Sequence, residues 1–265
     1  MVGVVASGAG AATAAFLADR PVTEVGSPRL DEITTVERET AAPPVIAEVP
    51  DPRTLPSAQP AVSEVLDDTW VGADGLTLAD RRAGLLSVAV PESATGTLVV
   101  VPGSVPAPHP ERKVRTVRVE YEEGLDIDGE VFAEFVMAAL NDPRGWGGDE
   151  SMSFARTDGT AQIRVVVASP SKVDAMCAPL NTHGDYSCGR YGHAAINHTR
   201  WVQATEEFTD LTQYRQYVVN HEVGHLLGRQ HVSCPTAGRL APIMQQQSIK
   251  VAPCLPNAWP FPDGA

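Results

Sequence analysis

At 265 residues the chain has room for one domain with appendages or two small ones, and its 43% hydrophobic content supplies a core. Twenty Lys and Arg against 33 Asp and Glu give a net charge of −13. Acid exceeds base in residues 1–83 and in the remainder alike, and no basic stripe stands out, which excludes nucleic acid as an expected partner and leaves solubility as the reading of the acidity.

Val2 to Ala18 carries no charge and is dominated by Ala, Val and Gly. Its length is close to the minimum for a membrane span. Ala12-Thr13-Ala14 matches an A-x-A cleavage site, yet no Lys or Arg precedes the stretch as the start of a signal requires. Residues 1–18 are read as an export signal or membrane anchor lacking its basic start, with an ordinary N-terminal helix as the alternative. From Leu17 to Thr69 there is no aromatic residue, and six prolines fall between Pro43 and Pro60. Such a stretch buries too little apolar surface to offset its ordering entropy, so residues 19–83 are predicted to be a disordered, semi-extended linker.

Structure is predicted to resume at Gly84. Leu85–Val90 and Thr97–Val101 are short β-rich runs between Pro and Gly, and Val114–Tyr121 alternates as a half-buried strand does. Asp128-Gly129-Glu130 opens an amphipathic helix through Val131, Phe132, Phe135, Val136, Ala139 and Leu140, which Asp142-Pro143 stops. Ser151–Arg156, Ala161–Ala168 and Ala194–Asn197 read as strands. A second helix starts near Thr209 or Asp210 and runs to Leu227, apolar around most of its girth as a buried helix is. His109, His183, His193 and His198 have no metal-ligand spacing and read as ordinary loop histidines. Asn197-His198-Thr199 fits the glycosylation pattern at the level expected by chance.

The strongest signal lies in the second helix, where His221 to His231 reads H-E-x-x-H-x-x-G-x-x-H. Residues four apart share a helix face, so His221 and His225 project toward one metal. Glu222 leans over the same site without binding and is placed to act as general base. Gly228 accepts the left-handed conformation of a helix C-cap, and the turn brings back His231 as third ligand. Three protein ligands with a fourth position open mark a catalytic rather than structural zinc. With 7 His and 22 Gly in the chain, chance gives this pattern a probability on the order of 10⁻⁵.

Cys177, Cys188, Cys234 and Cys254 allow three disulfide connectivities. Cys177–Cys188 and Cys234–Cys254 are predicted because each closes a short loop; the rival reading makes Cys234 a metal ligand. Disulfides place the domain outside the reducing cytoplasm.

The motif resembles that of the metzincin zinc peptidases, and Ala241-Pro242-Ile243-Met244 resembles their Met-turn, whose methionine lies beneath the metal. The run Tyr214–Gln247, with Asn141–Trp146 and Pro256–Pro260, is similar to an uncharacterised metzincin-like domain, of unknown function, from high-GC Gram-positive bacteria. That resemblance covers roughly residues 84–265. It implies an α+β fold: a twisted mixed sheet, two main helices, and an irregular C-terminal part carrying the third ligand and Met244. Several metzincins place a transition-state tyrosine just after the methionine, where this chain has Gln245, Gln246 and Gln247. It also implies that the Ala194–Asn197 strand is the sheet edge along which a peptide lies.

The sequence therefore predicts a monomeric, extracytoplasmic zinc hydrolase, anchored or secreted, that cleaves peptide or protein substrates through Zn2+ held by His221, His225 and His231 with Glu222 as base. Two alternatives are a zinc-stabilised surface-binding module and a zinc amidase or deacetylase acting on cell-wall material.

Overall fold

The structure, a computed structural model, describes residues 70–264. The expected signal or anchor and residues 19–69 of the expected linker lie outside the described residues. The linker boundary at residue 83 is set too late, because Leu76 and Ala83 are fully buried in the main core. Their segment carries helix α1 (Leu78–Arg82), opened by a capping box in which Thr77 and Asp80 exchange side-chain and backbone hydrogen bonds. A short helix with one good cap and a few apolar contacts leaves little periodicity in the sequence.

The remaining elements are β1 (Leu98–Val100), β2 (Lys113–Glu122), α2 (Gly129–Asn141), β3 (Met152–Arg156), β4 (Ile163–Ala168), α3 (Pro170–Cys177), β5 (Cys188–Arg190), β6 (His193–Asn197), α4 (His198–Gln203) and α5 (Leu211–Leu226). They form an α+β domain around one six-stranded mixed sheet in the order β1-β2-β4-β6-β5. Strands β2, β4 and β6 run parallel, β3 pairs in parallel with the first half of β2, and β1 and β5 run antiparallel to their neighbours.

The two faces follow from the period of two. Val117, Val119, Ile163, Val165, Val167, Ala194 and Ile196 join the core with α2, Trp201 and α5, whereas Val166, Ala168 and Ala195 pack with α3 on the other face. Burial on both faces explains why β4 reads Val-Val-Val-Ala without alternation. Helix α2 starts where expected, with Asp128 accepting from the Glu130 and Val131 N–H groups. Asp210 caps α5 in the same way, accepting from Thr212 and Gln213. The fully buried Arg215 on α5 donates to Asp80 at 2.5 Å and to the Trp201 carbonyl at 2.7 Å, fastening α1 and α4 to the central helix.

Several expectations are corrected. Beyond one isolated bridge from Leu85 to Ile127, residues 85–90 are not a strand; Leu86 and Val88 are exposed and lack a partner strand. The edge beside α5 is β5, not the Ala194–Asn197 strand, which lies between β4 and β5. Helices α3 and α4 leave little periodicity in the sequence, having eight and six residues and closely following strands. His193 and His198 are not loop residues but buried, and Asn197 is a fully buried N-cap whose amide donates to the Gly184 carbonyl, which closes it to glycosylation.

Candidate metal centre

Helix α5 carries the centre and is enclosed by the core along most of its length. Its end is a Schellman motif: Gly228, at φ 86°, donates to the His225 carbonyl, and Arg229 donates to the Gly224 carbonyl. The glycine thus reverses the chain as expected, and His231 returns toward the helix.

His221, His225 and His231 present ligand atoms within 4.8 Å of one another. The Nε2 of His231 lies 3.3 Å from that of His221 and 3.0 Å from that of His225. The opposite ring nitrogens decide what these atoms carry. His221 donates from Nδ1 to the Ile243 carbonyl at 2.9 Å, and His225 from Nδ1 to the Arg229 carbonyl at 3.0 Å. A carbonyl can only accept, so Nδ1 holds the proton and each neutral ring turns an Nε2 lone pair inward. Burial, with the neighbouring imidazoles, pushes His221 down to about 3, and burial lowers His225 and His231 too. Converging neutral nitrogens repel unless a cation or a proton lies among them, so the set fits a divalent metal that takes imidazole ligands.

Glu222 is buried beside this cluster, and desolvation pushes its carboxyl up to about 8. It lines a cleft of about 350 Å³ together with the three histidines, Tyr217 and β5. One wall is the edge strand, pressed against the helix at Gly189. A Cβ there would overlap the Glu222 carbonyl oxygen and stand 2.8 Å from the Cβ of His225. The Pro242–Gln245 turn packs against the same helix and is closed by the Gln245 N–H on the Pro242 carbonyl. Met244 is buried in it against Gly224, where a Cβ would come 2.5 Å from its sulfur and 2.7 Å from the Trp146 ring. Val232 donates to the Met244 carbonyl, tying the His231 loop to the same turn.

The glutamines after Met244 are structural on two of three counts. Gln245 donates to the Lys250 and Val251 carbonyls, and Gln247 exchanges bonds with Asn257. Only Gln246 is exposed to the cleft. Tyr217 is committed as well, donating to the Gln245 carbonyl and accepting from the Gln247 N–H. Cys177 is bonded to Cys188 and Cys234 to Cys254, the short-loop pairs, so Cys234 is not a metal ligand. Sequence reasoning missed Gly189, Arg215 and the Gln247–Asn257 brace; only the excess of polar side chains after Met244 hinted at the last.

The chain belongs to the family described as Protein of unknown function (DUF3152), whose model matches residues 86–262. No curated protein and no solved structure matches the chain.

Proposed function

We propose that this chain is a zinc-dependent hydrolase of the metzincin type, most simply a peptidase acting outside the cytoplasm. The observation that carries the reading is the pairing of three inward-facing Nε2 atoms, two with their tautomers set by backbone carbonyls, with a buried carboxyl one residue after the first ligand. The turn bearing Met244 beneath the helix supports the metzincin relationship. The two disulfides support an extracytoplasmic site, anchored or secreted. No helix among the described residues is long and apolar enough to cross a membrane. A monomer that takes a peptide or protein substrate, and no nucleic acid, completes the reading.

His221, His225 and His231 would hold the zinc. A zinc there supplies a Lewis acid for an amide carbonyl and eases ionisation of water near neutral pH. Beside a cation the Glu222 carboxyl ionises more readily than burial alone allows. It is then placed to take a proton from the attacking water and return it to the leaving amine. Gly189 and β5 close one side of the cleft to bulk water, and Tyr217, with both bonds satisfied inside the fold, supplies packing rather than protons.

The test is hydrolysis of a mixed-sequence peptide pool by the full chain with bound zinc measured in parallel, against Glu222→Ala. Cleavage that disappears in a variant keeping its zinc supports the reading. Zinc without turnover in the wild type points to a binding module or a non-peptide amide substrate, and turnover that survives Glu222→Ala overturns the role of the base.

A further inference from the structure

The cleft continues past the metal centre. A second hollow of about 360 Å³ shares Gln246 and Ile249 with the first and extends along the Cys234–Cys254 disulfide to Lys250. Across both, the charged side chains in the lining are Glu222, Arg190 and Lys250. In a chain of net charge −13, each of the two adjoining hollows thus presents a cation.

Arg190 and Lys250 form no ion pair among the described residues, whereas Arg118, Arg144, Arg156, Arg164, Arg200 and Arg215 all do. Arg190 is nevertheless held in place. It donates to the Cys177 carbonyl at 3.0 Å and to the Tyr191 hydroxyl at 2.6 Å, and its guanidinium lies 4.2 Å over the Tyr191 ring. A guanidinium fixed by neutral partners can still offer the remaining N–H groups of its terminal nitrogens to a carboxylate, and little ordering entropy is lost when one arrives. Lys250 is exposed in the second hollow, its backbone carbonyl held by Gln245.

We infer that the groove selects acidic peptide segments, with carboxylates received by Arg190 on the β5 side of the metal centre and by Lys250 in the second hollow. This names the substrate class of the proposed hydrolase and rests on that reading for turnover, though not for binding. The cations act at short range. Charges farther away than a Debye length are screened, so the preference is set by the nearby cations and weakens with salt.

The experiment separates binding from turnover. A mixed-sequence peptide pool is passed over immobilised full-length protein carrying Glu222→Gln, and retained peptides are sequenced; Arg190→Glu and Lys250→Glu are added singly to the same background, and wild-type cleavage of the pool is followed in parallel. We expect Asp and Glu to be enriched about 1.5- to fivefold in the retained peptides, the range of an exposed ion pair. Each charge reversal should shift the enrichment on its own side toward Lys and Arg. Lys250 is exposed and tolerates substitution, so it tests the inference even if Arg190→Glu loosens the 178–187 loop. No acidic enrichment, or enrichment that survives both reversals, overturns the inference. Acidic enrichment without wild-type cleavage supports the groove and removes the peptidase reading; cleavage indifferent to charge does the reverse.

Discussion

The Ile243 carbonyl accepts the Nδ1–H of His221 at 2.9 Å, so the turn holding Met244 also sets the tautomer of the first helical histidine of the cluster. Turn and helix are further interlocked because Gly224, between the two helical histidines, is the only kind of residue that lets Met244 and Trp146 approach so closely. The geometry of the histidine cluster is thereby a property of a contact between two segments, not of the helix alone.

Gly224→Ala tests that contact. The added methyl meets the Met244 sulfur and the Trp146 ring, an overpacking that costs about 1–3 kcal/mol, against which the helix regains about 0.5–1 kcal/mol from alanine. We expect net destabilisation in thermal unfolding and weaker zinc retention. A variant as stable as the parent with unchanged zinc affinity would show that the turn does not bear on the helix.

Gly189→Ala should act on the cleft wall. Its methyl overlaps the backbone oxygen of Glu222, which cannot rotate away, so β5 must lift from α5. About 1–3 kcal/mol of stability should be lost, together with most hydrolysis, measured as kcat/KM on a cleaved peptide. Full activity would mean that the edge strand does not shape the site.

The metal-free chain should respond to pH in two directions. Burial raises Glu222 from its ordinary 4.5 to about 8, so its protonated form favours the folded state and that contribution is lost as pH rises toward 8. Burial lowers His221 from 6.5 to about 3, so its contribution is present above pH 6.5 and lost as pH falls. Zinc-stripped Glu222→Gln should therefore gain stability over zinc-stripped wild type by a few kcal/mol at pH 8.5 and much less at pH 5 in urea unfolding. A gap that does not change with pH contradicts the buried, uncompensated carboxyl.

The two disulfides should separate in their effects. Removing either costs about 2–5 kcal/mol. Cys234 lies three residues beyond His231 and anchors that ligand's loop to Cys254, so the Cys234→Ser/Cys254→Ser pair should also weaken zinc binding. Cys177→Ser/Cys188→Ser should spare zinc and impair peptide binding, since that bridge shapes the β5 side of the cleft. Equal zinc loss in both pairs, by titration against a chelating dye, contradicts this division.

The three converging histidines and Glu222 beside them were legible because they fall within eleven residues, two of the histidines four apart on one helix face. Helix α5 and helix α2 were legible from Asp caps followed by apolar periodicity, and β2 from alternation. What stayed hidden depends on contacts remote in sequence. Arg215 meets Asp80 across 135 residues, and Gly189 is a glycine only because a helix backbone lies against it. Strand β5 has three residues, too few to show a period, and α1 is fixed by a capping box and the partners it finds in the fold. Such pairings leave no local pattern, which is why the true sheet edge and the start of the folded region were misplaced.

The central claim is that three imidazoles hold one zinc with a position left open. X-ray absorption at the zinc edge of the purified full chain, with metal content per chain, tests it most directly. We expect one zinc per chain with three imidazole nitrogens, no sulfur and one non-protein ligand, and loss of that signal in His231→Ala. No retained zinc, or zinc bound through sulfur, would contradict the account.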